Sequence, residues 1–228
     1  MIYITGDTHG DPLRLSSSNF KEGKDLNKED CVIICGDFGL IWKENDKQSE
    51  YWLEWLNNKP WTTLFIEGNH SNFDLLNKYP VEQWNGGKIH KIKENIIHLT
   101  RGQIFNIDGK NVFTMGGAQS IDEIYRIEGI DWWREEMPSY REMNEGIDNL
   151  LAFDKKIDII LTHTCPLSVL DYVVESNKIV TGLEKYLDEV RTIIESKSKD
   201  YKWYFGHFHQ HKKIDDNFMC LYEDIIKI

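Results

Sequence analysis

Residues 31–39 of the chain read CVIICGDFG, a run of five apolar residues followed directly by glycine and aspartate. The run has the length of a strand, and its centre is β-branched. An uninterrupted apolar run of this kind is typical of a strand buried on both faces of a sheet. The stretch therefore predicts a buried strand that ends beside the carboxylate of Asp37.

The same order, an apolar run and then a polar cluster, recurs at other places along the chain. The clusters are Gly6-Asp7-Thr8-His9-Gly10 after residues 2–5, Gly68-Asn69-His70 after residues 63–66, Thr162-His163 after residues 157–161, and Gly206-His207-Phe208-His209 after residues 203–205. In open α/β sheets, ligands bind beyond the carboxyl ends of the strands. We therefore expect the Asp, Asn and His side chains of these clusters to lie close together.

Amphipathic helical patterns separate several of the predicted strands. They occupy residues 72–79, 142–153 and 181–196. The last pattern is the clearest, because Thr181 and Glu184 have the spacing of a capping box. Between residues 88 and 115 the pattern changes to short strands, and Asp108-Gly109 is typical of a hairpin turn. This succession predicts an α/β fold with mixed sheets.

The composition indicates one domain with an acidic surface. The chain has 228 residues, of which 40% are hydrophobic, which is enough for one core and little for two. We therefore expect a single domain over residues 1–228. With 27 Lys and Arg against 38 Asp and Glu, the net charge is -11, so the surface should repel long nucleic acid. A phosphate-bearing substrate would then be held at a local site by bound cations.

The start of the chain and its cysteines bear on the cellular location of the protein. The apolar run after Met1 is shorter than the core of a secretory signal. No stretch approaches the roughly 18 consecutive apolar residues that span a bilayer. The chain has 4 cysteines, which are too few for a disulfide framework of this size. These features predict a cytoplasmic protein without a membrane partner.

The polar clusters combine two aspartates, an asparagine and several histidines. Mixed oxygen and imidazole ligands without thiolates suit borderline transition ions better than calcium or structural zinc. Each residue alone has an ordinary explanation, since an aspartate after a strand often caps a turn and a lone histidine often packs in a core. The recurrence of such clusters at the ends of apolar runs favours a metal site.

The order of these motifs resembles that of the calcineurin-like metallophosphoesterases. That family has Asp-x-His, Gly-Asp, Gly-Asn-His, a lone His and Gly-His-x-His, and this chain has the same motifs between residues 6 and 209. The resemblance implies an α/β fold, a four-layer αββα sandwich of two mixed β-sheets with flanking helices. It also implies two divalent metal ions, and manganese, iron, zinc, nickel and cobalt all suit the ligands.

The family pattern, placed on this sequence, implies a ligand set for each ion. The first set is Asp7, His9, Asp37 and His209, and the second is Asp37, Asn69, His163 and His207. Asp37 would bridge the two ions, and Asn69 would also contact the substrate. The resemblance implies that His70 is the catalytic residue that contacts the phosphate and protonates the leaving oxygen.

Two positions depart from the common family pattern. Protein serine/threonine phosphatases carry an arginine shortly after Gly-Asp, but residues 37–41 read DFGLI. This departure disfavours a protein phosphatase of that subfamily. Ser71 stands where Asp or Glu usually follows Gly-Asn-His, so His70 lacks a carboxylate on the adjacent residue.

An insertion at about 116–141, rich in aromatic residues and arginine, does not fit the strand pattern. In one interpretation it forms a cap beside the metals, in which Arg126 binds the substrate phosphate and a tryptophan stacks on a flat group. In the other, the aromatic residues cover a sheet edge and the arginines pair with nearby glutamates. The candidate glutamates are Glu128, Glu135 and Glu136.

These inferences predict a binuclear metal-dependent phosphoester hydrolase. A metal-bridged hydroxide would attack a phosphomonoester of a small or flexible substrate. One alternative is a phosphodiesterase or nuclease on nucleotides or nucleic acid, which the aromatic insertion favours and the net charge disfavours. A non-catalytic binding protein on the same fold is the alternative from another class, and the presence of every expected metal ligand argues against it.

Overall fold

The structure is a computed structural model that describes residues 1–176 and 178–228. Within these ranges the strands are β1 (Ile2–Thr5), β2 (Cys31–Cys35), β3 (Thr62–Ile66), β4 (Val81–Trp84), β5 (Gly87–Lys93), β6 (Ile96–Leu99), β7 (Gln103–Ile107), β8 (Lys110–Met115), β9 (Ile159–Thr162), β10 (Lys202–Phe205), β11 (Lys212–Lys213), β12 (Phe218–Cys220) and β13 (Ile226–Lys227). The α-helices are α1 (Lys47–Asn57), α2 (Phe73–Leu76), α3 (Tyr140–Ala152), α4 (Leu167–Leu170) and α5 (Gly182–Lys197). Short 3₁₀ turns cover Leu13–Leu15, Glu22–Asp25, Glu123–Tyr125 and Arg134–Glu136.

The strands of the described residues form two mixed sheets. One sheet has the order β13-β1-β2-β3-β6-β5-β4, and the other has the order β11-β12-β10-β9-β8-β7. The central strands β1, β2, β3 and β6 run parallel, as do β8, β9, β10 and β12. Antiparallel pairs lie toward the sheet edges. Each sheet therefore has a parallel block whose carboxyl ends lie at one edge.

Successive side chains of the central strands belong to different layers of the core. Ile33 of β2 and Leu161 of β9 belong to the apolar cluster between the sheets. Val32, on the other face of β2, belongs to a cluster that includes the buried residues of α1. Ile160 belongs to a cluster with α3 and α5. This layering confirms the predicted sandwich of two mixed sheets with flanking helices.

The predicted helices are present, with ends set by their caps. The capping box of Thr181 and Glu184 is formed at the start of α5. Helix α3 begins at Tyr140, two residues earlier than the prediction, because Ser139 and Glu142 form a capping box that the apolar pattern did not reveal. Helix α2 begins after the Asn72 cap as expected but ends at Leu76.

The predicted hairpin joins β7 to β8. Asp108 and Gly109 have φ angles of 49° and 75°, the positive values that a two-residue hairpin turn requires. The strands pair antiparallel from Gln103 opposite Thr114 to Ile107 opposite Lys110.

The parallel strands bring the polar clusters to one edge of the sandwich. Asp7, Asp37 and Asn69 follow β1, β2 and β3 of one sheet, and His163 and His207 follow β9 and β10 of the other.

No helix among the described residues combines the length and apolar character needed to cross a bilayer.

Candidate metal centre

The residues of the first expected ligand set lie close together at the edge of the sandwich where the parallel strands end. Candidate ligand atoms of Asp7, His9 and His209 lie within 4.8 Å of one another. The Nε2 atoms of His9 and His209 are 2.9 Å apart, and the His209 Nε2 atom lies 3.2 Å from the Asp7 Oδ2 atom. Asp37, the fourth residue of this set, has its Oδ2 atom 3.8 Å from the His9 Nε2 atom.

The second expected set meets around the side-chain oxygen of Asn69. The Asn69 Oδ1 atom lies 3.1 Å from the His163 Nε2 atom and 3.1 Å from the His207 Nδ1 atom. The His163 Nε2 atom is also 3.4 Å from the Asp37 Oδ2 atom. Asp37 therefore lies between the two sets, in the position expected of a bridging ligand.

The backbone at the site is held in an unusual conformation. His9, Asp37, His207 and His209 have φ angles of 46°, 46°, 68° and 49°, all in the left-handed region that residues other than glycine seldom adopt. Such conformations cost free energy and cluster at functional sites, where the surrounding structure enforces them. Here they occur in the loops that follow β1, β2 and β10.

Two glycines of the motifs allow the side chains to approach the backbone closely. A Cβ atom on Gly36 would lie 1.9 Å from the His163 Nδ1 atom, and one on Gly68 would lie 2.1 Å from the Asp37 Oδ1 atom. Gly36 also has a φ of 98°. The glycine of each motif is therefore required by the packing of the adjacent ligand.

The site has a buried negative charge that a positive charge would stabilise. The carboxylates of Asp7 and Asp37 are fully buried. Burial alone would lower the pKa of His163, but Asp37 and Asp7 raise the pKa to about 9. Burial and the neighbouring His163 lower the pKa of His207 to about 4. In the chain by itself, a proton on His163 thus compensates part of the negative charge of the two carboxylates. Bound divalent ions would compensate that charge more completely.

The donor set fits divalent transition ions. The His163 Nδ1 atom lies 2.9 Å from the Cys35 carbonyl oxygen and is oriented to donate to it, which leaves the Nε2 lone pair for a metal. The converging atoms are carboxylate oxygens, one amide oxygen and imidazole nitrogens. This mixture suits manganese, iron, zinc, nickel or cobalt, as the sequence indicated.

His70 lies beside the ligands and faces a cavity. Its backbone N–H donates to the Asp37 Oδ1 atom at 2.8 Å, and its ring lies edge to face with His9 at a centroid distance of 5.4 Å. Burial lowers the pKa of His70 in spite of the carboxylate of Asp37. Ser71 has a structural role, since its hydroxyl accepts from the Gly68 N–H at 3.3 Å.

The insertion packs against this cavity, and two of its arginines, Arg126 and Arg134, are paired. Arg126 lines the same cavity of about 400 Å³ as His70. Its guanidinium donates to both carboxylate oxygens of Asp122 at 2.7 and 2.8 Å, and to the Asp131 carbonyl oxygen at 2.9 Å. The sequence had suggested glutamate partners, of which Glu128 pairs with Arg134 at 3.4 Å.

One of the two tryptophans of the insertion, Trp133, has a structural position. Trp133 is buried, donates its Nε1–H to Asp74 at 2.9 Å and lies edge to face with Trp42 at 5.3 Å. It therefore anchors the insertion to α2 and is not free to stack on a substrate.

The sequence patterns did not indicate two groups of buried residues near the candidate metal ligands. Ser120 and Glu136 of the insertion are buried and hydrogen-bond to each other, and Ser120 also contacts Asn69. The Glu67 carboxylate is buried against His98 at 2.6 Å, although His98 carries no recognisable motif. No signal in the sequence joins these residues, because their partners lie far along the chain.

Comparisons with known proteins agree with the motifs. The family model for calcineurin-like phosphoesterases matches residues 1–211. Among curated proteins, a lariat debranching enzyme of Schizosaccharomyces pombe is 25% identical over 158 residues, which cover 62% of this chain and 33% of that protein.

Two further relatives carry the same name. The lariat debranching enzyme of Drosophila pseudoobscura pseudoobscura is 26% identical over 75% of this chain and 34% of its own length. The one of Danio rerio is 23% identical over 75% and 32%. The chain therefore spans about a third of the length of the curated relatives it matches.

The family match covers most of the chain, and the fold is the one that the sequence predicted. The chain belongs to the calcineurin-like phosphoesterase family, whose members use a binuclear centre of divalent metal ions.

Proposed function

We propose that the chain is a binuclear metal-dependent phosphoester hydrolase. The ions would be held by Asp7, His9, Asp37, Asn69, His163, His207 and His209. The observation that carries the proposal is the meeting of buried carboxylate, amide and imidazole atoms from both sheets at one point. When bound, two divalent ions supply an activated water and the positive charge that stabilises the phosphoryl oxygens.

His70 is proposed as the catalytic residue of the chain itself. Its ring faces the cavity, and the hydrogen bond from its backbone to Asp37 fixes its position relative to the ligands. In that position the imidazole contacts the phosphate and donates a proton to the leaving oxygen. The Asn69 amide, which lines the same cavity, contacts the phosphate as well.

Arg126 is proposed to bind the non-bridging oxygens of the phosphate. A guanidinium has five N–H donors, and three of them are used for Asp122 and the Asp131 carbonyl, so two remain. The salt bridge with Asp122 holds the guanidinium rigidly at the cavity wall. A rigid planar donor is well suited to a phosphate.

The favoured substrate is a phosphomonoester with a small or flexible organic group. The cavity at the proposed metal centre has a volume of about 400 Å³ and is lined in part by apolar residues, among them Ile121 and Leu170. Such a lining accommodates one organic group next to the phosphoryl position.

A phosphodiester is the second candidate. The curated relatives are named lariat debranching enzymes, and exposed apolar side chains extend from the cavity along the insertion. They are Ile121, Ile124, Tyr125, Ile127 and Ile130, each at least 60% exposed. This surface provides room for a second organic group, whereas the net charge of -11 disfavours a long polyanion.

Turnover of two chromogenic esters tests the proposal. The chain is dialysed against chelator, reloaded with Mn²⁺, and assayed with nitrophenyl phosphate and bis-nitrophenyl phosphate. We expect no turnover before reloading, and afterwards a higher specificity constant for the monoester. A higher constant for the diester would select the second candidate. Absence of turnover of either ester by protein that has bound two ions would contradict the proposed hydrolase.

Three further features of the chain are proposed: its working metal, its cellular location and its domain organisation. We propose manganese as a working metal, a cytoplasmic location, and a single domain over residues 1–228 that includes the insertion at about 116–141. The burial of Trp133 and Glu136 supports the last of these, because the insertion shares its packing with the residues around the metal centre.

A further inference from the structure

The side chain of Asn69 has two chemically different ends, and only one of them binds a metal. Its Oδ1 atom faces His163 and His207, while its Nδ2 atom donates to the Ser120 hydroxyl at 3.1 Å. An amide oxygen is a metal ligand, whereas an amide N–H₂ offers no lone pair. A rotation of the amide by half a turn would therefore remove one ligand without moving the backbone.

The hydroxyl of Ser120 has a single proton, and its partner decides where that proton goes. Glu136 is fully buried, and its carboxylate accepts the Ser120 N–H at 2.8 Å and the Ser120 hydroxyl at 2.6 Å. An ionised carboxylate only accepts hydrogen bonds. The hydroxyl proton is thus directed to Glu136, and only oxygen lone pairs remain for Asn69.

We infer that Glu136, acting through Ser120, orients the Asn69 amide so that its oxygen faces the second metal ion. The inference rests on the proposed function, in which Asn69 is a ligand. Glu136 and Ser120 are then positioning residues, since neither of them belongs to a proposed ligand set. Both belong to the insertion, which would thereby take part in building the metal centre and not only cover it.

The charge of Glu136 is the essential element of this arrangement. In Glu136→Gln, the new amide oxygen would accept the Ser120 N–H, and the new N–H₂ would donate to the Ser120 hydroxyl. The hydroxyl proton would then be released toward Asn69 and would favour the amide with its oxygen turned away from the ion. The size and shape of the side chain hardly change, so the effect isolates the polarity of the hydrogen bonds.

Calorimetric titration of the metal-free chain with Mn²⁺ measures the effect without reference to activity. We expect two ions to bind to the unchanged chain. In Glu136→Gln one ion should bind as before, and the affinity for the other should fall about 10- to 100-fold, the usual effect of losing an outer partner of a ligand. Glu135→Gln is the matched control, since Glu135 is the exposed neighbour, and its titration should be unchanged.

Two further variants keep the test decisive. Ser120→Ala removes one oxygen atom and should also weaken the second ion, which serves if Glu136→Gln does not fold. Asn69→Asp has an oxygen at both ends, so in the Glu136→Gln background it can accept the released proton and still bind the ion. The double variant should therefore bind the second ion more tightly than the two single effects predict when they are added.

The outcomes separate the inference from the proposed function. Unchanged binding of the second ion in both Glu136→Gln and Ser120→Ala, or additive effects of Glu136→Gln and Asn69→Asp, would overturn the inference. Failure of the unchanged chain to bind two ions would instead overturn the proposed metal centre.

Discussion

Asp37→Asn is expected to remove both metal ions and with them the turnover of any phosphoester. The side chain loses its charge at the point between the two ligand sets, where its Oδ2 atom lies 3.4 Å from the His163 Nε2 atom and 3.8 Å from the His9 Nε2 atom. A bridging carboxylate serves two ions, so the loss of affinity should exceed the roughly 10- to 100-fold that follows the loss of an outer partner. Metal content after dialysis and nitrophenyl phosphate turnover measure both effects.

Two kinds of variant serve as controls for Asp37→Asn. Asn69→Ala or His163→Ala should mainly weaken the second ion, because each belongs to one ligand set. Asp154→Asn changes the same charge on an exposed residue and should change neither metal content nor turnover. If Asp37→Asn kept two ions per chain and normal turnover, the bridging assignment would be wrong.

His70→Ala is expected to separate metal binding from catalysis. The His70 ring lies beside the ligand groups and faces the cavity, so the variant should retain both ions. A general acid matters for a basic leaving oxygen, as in an alkyl phosphate, and little for nitrophenolate, which leaves unaided. Turnover of the alkyl phosphate should therefore fall about 10²- to 10⁴-fold, and that of nitrophenyl phosphate far less.

The two substrates are compared under the same metal loading. His211→Ala serves as the control, since that imidazole pairs with Asp224 at 3.2 Å and should affect neither substrate. Equal losses on both substrates in His70→Ala would show that His70 positions the phosphate, and another group would have to supply the proton.

The convergence of the polar clusters was predictable because it depends on local patterns. An apolar run that ends in Gly-Asp, such as residues 31–37, defines both a buried strand and the place of the side chain after it. Parallel strands then bring these ends together without further information. The apolar runs by themselves predicted an α/β fold with strands buried on both faces. The sandwich of two mixed sheets was predicted from the resemblance to the family.

The contacts of the insertion could not be predicted in the same way. Ser120 meets Asn69 across 51 positions, and Glu136 meets Ser120 across 16 positions, with no periodicity to link them. In one interpretation of the sequence Arg126 pairs with a glutamate, but the 3₁₀ turn before it places the carboxylate of Asp122 one turn away, and Arg126 pairs with that residue. The pairings of Ser120 are decided by tertiary packing, which composition does not encode.

Anomalous scattering from a crystal grown with Mn²⁺ tests the proposed metal centre most directly. We expect two peaks about 3.5 to 4 Å apart. Both should contact Asp37. One should also contact Asp7, His9 and His209, and the other should also contact Asn69, His163 and His207. A single peak, or peaks away from these residues, would contradict the binuclear centre on which the proposed hydrolase depends.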